Sequence, residues 1–199
     1  HLILQKKGRD MFKATLLLTA ILLSSTNFVQ ALDLQSDFGN VEFPATGNIE
    51  AQRHFNHGIA ALHSFWYPEA LEAFKQSIIA DPNFVMGYWG LAMAYNHPLW
   101  EDQDTKAAIK ALSNIPRSAK LTHREWDYIK AVEILYGKGK KHLRDRAYSH
   151  AMQKIYHKYP NDLEAACFYS LSLLGVSRNT EESLRLQIEA GAIALEIFH

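Results

Sequence analysis

Residues 54–84, HFNHGIAALHSFWYPEALEAFKQSIIADPNF, form one complete helix–turn–helix pattern, and the chain then begins the same pattern again. Gly58, Ala70, Phe74 and Pro82 mark this unit, with spacings of twelve, four and eight residues. A shift of about 34 residues takes Gly58 to another small residue in an aromatic-rich stretch and Pro82 to another proline. The pattern therefore predicts a series of helix pairs, each packed on the next.

The spacing within the unit is that of a tetratricopeptide repeat. Small side chains at Gly58 and Ala70 would let the two helices of a unit cross closely, and Phe74 would fill the space toward the next unit. The sequence thus predicts an all-α fold, a right-handed superhelix (solenoid) of tetratricopeptide repeats. Such arrays form extended concave surfaces, which favours binding of a protein or peptide partner as the function.

Proline, glycine and capping residues predict where the helices begin and end. The turns at Pro82 and Pro160 stop two helices, and Gly137 stops a third. Thr122 and Glu125 have the spacing of a capping box. We expect about eight helices and no sheet, with approximate bounds 49–65, 68–80, 84–96, 105–113, 123–136, 141–158, 163–174 and 180–199.

The start of the chain has the pattern of a secretory leader. Lys13 precedes the apolar run Ala14–Leu23, and small and polar residues follow up to Ala31, the expected cleavage position. The alternative is a transmembrane anchor, although the run is well short of the roughly 20 residues that span a bilayer. Cleavage would leave a periplasmic or secreted protein without a stable membrane span. Residues 1–10 precede Met11 and are not expected to belong to the fold.

The remaining chain divides into two parts. Residues 32–48 contain Gly, Pro and Asn without helical periodicity and are interpreted as a linker or an extended lead-in. Residues 49–199 are the predicted repeat array. The last helix runs to His199 without a stop signal, so we expect the array to be truncated at its C-terminal end and to continue in a longer protein.

Composition narrows the class of function. After removal of residues 1–31, 17 basic and 20 acidic side chains remain, a mildly acidic balance that argues against nucleic acid as a partner. The single cysteine, Cys167, lies in an apolar stretch, predicts an inert thiol and cannot form an internal disulfide. Neither a nucleophile motif nor a phosphate-binding loop is found. We therefore predict no enzyme activity, no catalytic residue and no cofactor.

The first two units also carry a family resemblance. Residues 55–58 read FNHG, residues 62–70 read LHSFWYPEA, and residues 88–100 read YWGLAMAYNHPLW. In these motifs the chain resembles a family of bacterial secreted tetratricopeptide-repeat proteins, and the likeness extends over about residues 50–199. The resemblance implies the repeat fold and members named for their repeats rather than for a reaction.

In tetratricopeptide arrays the first helix of each unit lines the concave surface. In this chain those positions include Gln52 and Met86, and the predicted peptide-binding residues are Phe55, Ile59, Leu62, His63, Trp89, Met93, Asn96 and His97. Aromatic and methionine side chains with a few polar groups suit peptide recognition. The alternative is that these side chains pack inside a tightly wound superhelix and meet no ligand.

Ten histidines raise the alternative of a metal- or small-ligand site. His63 and His97 are 34 residues apart, so the repeat would place one above the other. A zinc site needs three or four ligands, and the motifs HExxH and CxxCH are absent from the sequence. We therefore predict no metal ligand, and keep a metal- or small-ligand-binding helical protein, possibly an enzyme, as the second hypothesis.

Overall fold

A computed structural model describes Gly39, residues 41–178 and residues 180–198 of the chain. Within those residues the fold has eight α-helices and one short hairpin. The helices are α1 Ile49–His63, α2 Tyr67–Ala80, α3 Val85–Met93, α4 Thr105–Ser113, α5 His123–Leu135, α6 Lys141–Lys158, α7 Leu163–Ser177 and α8 Ser183–Phe198. The prediction of an all-α protein is confirmed. The predicted leader lies outside the described residues.

One expectation about secondary structure is wrong, because the second helix pair is joined by a small antiparallel hairpin. Its strands are β1, Asn96–His97, and β2, Asp102–Gln103, with a 3₁₀ turn at Pro98–Trp100 between them. The predicted helix 84–96 accordingly ends at Met93. The amide of Asp104 donates to the carbonyl of Tyr95, so the chain folds back before α4 begins.

The predicted end of the seventh helix at residue 174, just before Gly175, is also wrong, because α7 continues to Ser177. A side chain at position 175 would lie 3.1 Å from the Cβ atom of Pro98. The glycine therefore lets the 3₁₀ turn pack close to α7, and it does not end the helix. Asn179, the residue expected to cap the last helix, lies outside the described residues.

Consecutive helices pack against each other from α1 to α4 and again from α5 to α8, and α1 with α3 and α3 with α5 are also in contact. Phe74 on α2 shows how closely they approach. A Cβ atom built on Gly58 of α1 would lie 2.6 Å from the Phe74 ring, and one built on Gly90 of α3 would lie 2.4 Å from it. The ring thus lies between two glycines of neighbouring helices, as the small-residue pattern predicts for Gly58.

The core is rich in aromatic side chains from α1, α2, α3, α5 and α7. The largest fully buried ones are Trp89, Tyr128, Phe43, Phe55, Phe74, Phe84 and Phe168. Two of these residues lie outside the helices: Phe43 belongs to the segment before α1, and Phe84 immediately precedes α3. On α8, by contrast, Leu184, Ile188 and Leu195 are exposed. None of the described helices is long and apolar enough to cross a membrane.

Side-chain caps fix four helix starts, and at α4 the cap is Asp104, which accepts from the amide of Ala107. Asn48 accepts from the amide of Ala51 at the start of α1, and Asp162 accepts from the amide of Ala165 at the start of α7. The capping box predicted for α5 is present, with Thr122 and Glu125 bonded reciprocally. Each such cap is worth about 1 kcal/mol. Two of these capping side chains, Glu125 and Asp162, also belong to the candidate site.

Candidate functional site

The segment of residues 43–46, Phe-Pro-Ala-Thr, is neither helix nor strand, has a bend at Thr46 and contacts α1, α3 and α5. Its Phe43 ring is fully buried, with ring centroids 5.2 Å from Phe55, 5.6 Å from Trp89 and 5.0 Å from Tyr128. These three rings come from the first helix of three successive helix pairs. Edge-to-face aromatic contacts of this kind contribute about 0.5–1.5 kcal/mol each beyond the burial of area.

Gln52 of α1 binds the backbone of the segment. Its side-chain nitrogen donates to the carbonyl of Phe43 at 2.9 Å, and its side-chain oxygen accepts from the amide of Ala45 at 2.8 Å. The same nitrogen also donates to Asn56 at 2.7 Å, which orients the amide group. One side chain thus satisfies a carbonyl and an N–H two residues apart, as a neighbouring β-strand would.

Arg124 of α5 covers the other side of the segment. Its guanidinium lies 4.4 Å from the centroid of the Phe43 ring and donates to the carbonyl of Pro44 at 3.0 Å. Two further N–H groups donate to both carboxylate oxygens of Asp162, which also accepts from the hydroxyl of Tyr128 at 2.9 Å. The bidentate ion pair holds the guanidinium plane in place over the phenyl ring.

The carboxylate of Glu125 binds the end of the segment. Its oxygens accept from the amide of Thr46 at 2.5 Å and from the Thr46 hydroxyl at 2.8 Å. They accept as well from the amide and the hydroxyl of Thr122, the other half of the capping box. Glu125 is only 1% exposed. These four donors therefore replace the hydrogen bonds to water that the carboxylate loses on burial.

We call the residues that contact residues 43–46 in these ways the segment site: Gln52, Phe55, Trp89, Arg124, Glu125 and Tyr128. Burial alone would lower the pKa of Arg124, but its hydrogen bond to Asp162 and the nearby acidic charges raise the pKa overall. Burial, followed by the charge of Asp162, holds the pKa of Tyr128 well above its ordinary value. At neutral pH the site therefore presents a guanidinium and a neutral phenol.

The segment leaves the site through a close turn. A Cβ atom on Gly47 would lie 2.2 Å from the Phe84 ring, so only glycine lets the backbone pass there. Asn48 follows, donating from its backbone to Asp81 and from its side chain to the carbonyl of Ala80. On the other side, a cleft of about 830 Å³ opens between residues 42–46 and the turn at residues 158–163.

The structure places six of the eight predicted peptide-binding residues in the interior. Their exposed fractions are between 0% and 8%, and they are Phe55, Ile59, Leu62, Trp89, Met93 and Asn96. Phe55 and Trp89 contact the segment. Leu62, Met93 and Asn96 line a separate cavity between α1, α6 and α7 of only about 30 Å³. By that measure the space holds about two water molecules.

The two predicted histidines are partly exposed and contact different side chains. His63 ends α1 and lies 2.6 Å from Glu164, with its ring against Phe168. His97 lies in β1, not on a helix, and bonds Asp102 at 3.0 Å while its ring contacts Tyr67. The two rings thus share no partner among these contacts.

A metal site would require several ligating side chains close together. Among the residues that the structure describes, no three or more His, Cys, Asp or Glu side chains come together as a metal site. Cys167 is part-buried, and burial raises the pKa of its thiol to about 11, so the thiol is protonated at neutral pH. Neither the placement of these side chains nor the Cys167 thiol supports the small-ligand hypothesis.

Sequence reasoning identified part of the segment site and missed the rest. Gln52, Phe55 and Trp89 fall on the helix positions expected to line the concave surface. Arg124 and Glu125 were recognised only as helix-start residues, and Phe43 only as part of a lead-in. The available signal was an aromatic residue followed by proline in a stretch without helical periodicity. Comparison of the chain with protein-family models, with curated proteins and with solved structures gives no match.

Proposed function

We propose that this chain is a tetratricopeptide-repeat protein that binds extended peptide segments on the surface formed by α1, α3 and α5. The observation that supports this is the segment site itself, in which residues 43–46 of the same chain lie as a peptide would. First helices of successive units line the ligand surface in tetratricopeptide arrays, and here they supply all six residues of the site. The proposed function is recognition of a protein or peptide partner, without a chemical step.

The kind of contact supports an extended backbone as the ligand. Gln52 and Arg124 bind three main-chain groups of the segment and need no particular side chain at those positions. A helix would use its carbonyls and amides internally and could not offer them to these donors and acceptors. Main-chain bonds supply affinity in this mode of recognition, and side-chain pockets supply specificity.

The pattern of buried and exposed side chains in the segment also resembles that of a bound peptide. Phe43 is fully buried, whereas Pro44 and Thr46 are exposed and Ala45 is half-buried. Interfaces usually have one deeply buried aromatic anchor, surrounded by contacts that contribute little binding energy. Truncation of a buried phenylalanine costs about 3–5 kcal/mol, so Phe43 supplies most of the binding energy of the segment.

We further propose that the protein acts after export, in the periplasm or outside the cell. The support is the sequence of residues 11–31, which has the charged start, short apolar core and small-residue cleavage position of a secretory leader. Those residues lie outside the described part of the chain, so the proposal rests on sequence alone.

The function is tested with an eight-residue peptide, VEFPATGN, that copies residues 41–48. The full chain carrying Phe43→Ala retains every residue of the segment site but has lost the anchor that fills it. We expect this variant to bind the peptide with a 1:1 stoichiometry in isothermal titration calorimetry, with a negative heat-capacity change from burial of the phenyl ring.

A matched control removes the site instead of the anchor. The double variant Phe43→Ala, Gln52→Ala loses the contacts to two main-chain groups and should bind the peptide at least tenfold more weakly. Equal heats for the two proteins would show that the peptide binds elsewhere. Absence of binding to a folded Phe43→Ala chain would refute the proposed function.

A further inference from the structure

We propose that residues 43–46 are a built-in competitor: they occupy the segment site in the same chain, and a partner with an extended Phe-x-x-Thr or Phe-x-x-Ser segment binds by displacing them. This inference rests on the proposed function and adds to it the chemistry of the ligand and the regulation of the site. It is carried by the difference between the contacts that the four segment positions make.

The segment site recognises the first and fourth positions through their side chains. At the first, three rings and the Arg124 guanidinium surround Phe43 on all sides, which selects a flat aromatic ring. At the fourth, Glu125 accepts from the hydroxyl of Thr46 as well as from its amide. An aliphatic side chain there would leave a carboxylate oxygen without that donor, so the site selects threonine or serine.

The segment site recognises the second and third positions through their backbone groups alone. The site takes a carbonyl from Pro44 and an N–H from Ala45. Proline has no N–H to offer, and the segment makes no use of one at that position. The side chain of Pro44 is exposed and that of Ala45 is half-buried, so a range of residues fits at both. The ligand is thus defined by two side chains three residues apart and by an extended backbone.

The segment is placed so that it can leave. Its backbone runs along the surface, and a single ring holds it in the interior. It is joined to α1 by Gly47 and Asn48 only, so after displacement it stays near the site at a high effective concentration. With a competitor tethered in this way, the apparent affinity for a partner is the affinity of the empty site multiplied by the fraction of time that the site is empty.

The experiment compares the full wild-type chain with two variants that weaken the competitor and leave the segment site intact, Phe43→Ala and Thr46→Val. Fluorescein-labelled VEFPATGN is the probe, and its anisotropy reports binding. Matched peptides replace the phenylalanine by alanine or the threonine by valine. Circular dichroism confirms that each protein is folded, and Thr46→Val, the milder change at an exposed position, covers the case in which Phe43→Ala does not fold.

We expect the variant chains to bind the probe at least tenfold more tightly than the wild type, and both altered peptides to bind at least tenfold more weakly than the probe. Equal affinity of wild type and variants would overturn the competitor proposal while leaving a working peptide site. Equal affinity of the three peptides would overturn the assigned ligand chemistry. Failure of every folded variant to bind would overturn this inference together with the proposed function.

Discussion

Thr46 and Glu125 are 79 residues apart in sequence, yet Thr46 donates from both its amide and its hydroxyl to the two carboxylate oxygens of Glu125. The same carboxylate completes the capping box of α5 through Thr122. One buried acidic group therefore starts a helix and also holds a segment that precedes all the helices. Loss of this carboxylate should affect both at once.

Glu125→Ala is expected to destabilise the fold by about 2–3 kcal/mol, because four donors lose their acceptor and the α5 cap is lost with them. The measurement is urea denaturation followed by circular dichroism. Glu133→Ala, an exposed acidic position on the same helix, is the control and should change the free energy of unfolding by less than about 0.5 kcal/mol. Similar values for the two variants would mean that the Glu125 network is not structural.

Gly58→Ala is expected to destabilise the fold by about 1–3 kcal/mol, since the new Cβ atom would overlap the Phe74 ring at 2.6 Å. Gly58→Leu should be worse still. Gly191→Ala on α8 is the matched control, because nothing lies within 4 Å of the added atom there and alanine favours a helix. Equal melting temperatures of the two alanine variants would contradict the close approach of α1 to Phe74.

Arg144 lies in the charged run Arg144-Asp145-Arg146, which by itself predicts a solvated side chain, and the structure shows that prediction to be wrong. Arg144→Ala is expected to cost about 1–3 kcal/mol. Its guanidinium donates to the carbonyls of Leu135 and Gly139 and to the side chain of Gln103, so it joins the end of α5 to the hairpin. The neighbouring Arg146 is exposed and serves as the control. Thermal unfolding of Arg144→Ala and Arg146→Ala should differ by several degrees.

Stability is expected to fall as pH rises above about 10. Burial raises the pKa of Tyr67 to about 12, whereas a tyrosine in an unfolded chain ionises near pH 10. Below pH about 9 the phenol is neutral in both states and has no effect. Between about 10 and 12 only the unfolded chain ionises, which favours unfolding. Urea denaturation at pH 8 and pH 10.5 measures the loss, and Tyr67→Phe should reduce it.

Export is expected to remove residues 1–31, because the apolar run of the leader is too short to remain as an anchor. Mass spectrometry of protein recovered from the periplasm or the medium should find an N-terminus at Leu32. Recovery of material that still carries residues 12–23 in a membrane fraction would show an anchored protein instead.

The helices and their ends could be predicted from the sequence because the signals are local. Pro82 and Pro160 interrupt hydrogen bonding within a few residues of themselves, and the capping box of Thr122 and Glu125 spans one turn. The repeat period likewise placed Gln52 and Trp89 on the face where the segment lies. What the period could not show is that residues 43–46 cover Phe55 and Trp89, and that Ile59, Leu62, Met93 and Asn96 are buried as well.

Only the tertiary structure decided where Phe43 lies, what Arg124 and Arg144 bind, and that Asn96 and His97 form a strand. Phe43 has no periodic partners, and its segment reaches Arg124 and Glu125 across about 80 residues of chain. Contacts between residues so far apart depend on how the intervening helices pack. The residues that flank Phe43 or Arg124 in the sequence therefore do not indicate these contacts. Local hydrogen bonding therefore determined the helices, and packing across the whole domain determined the site.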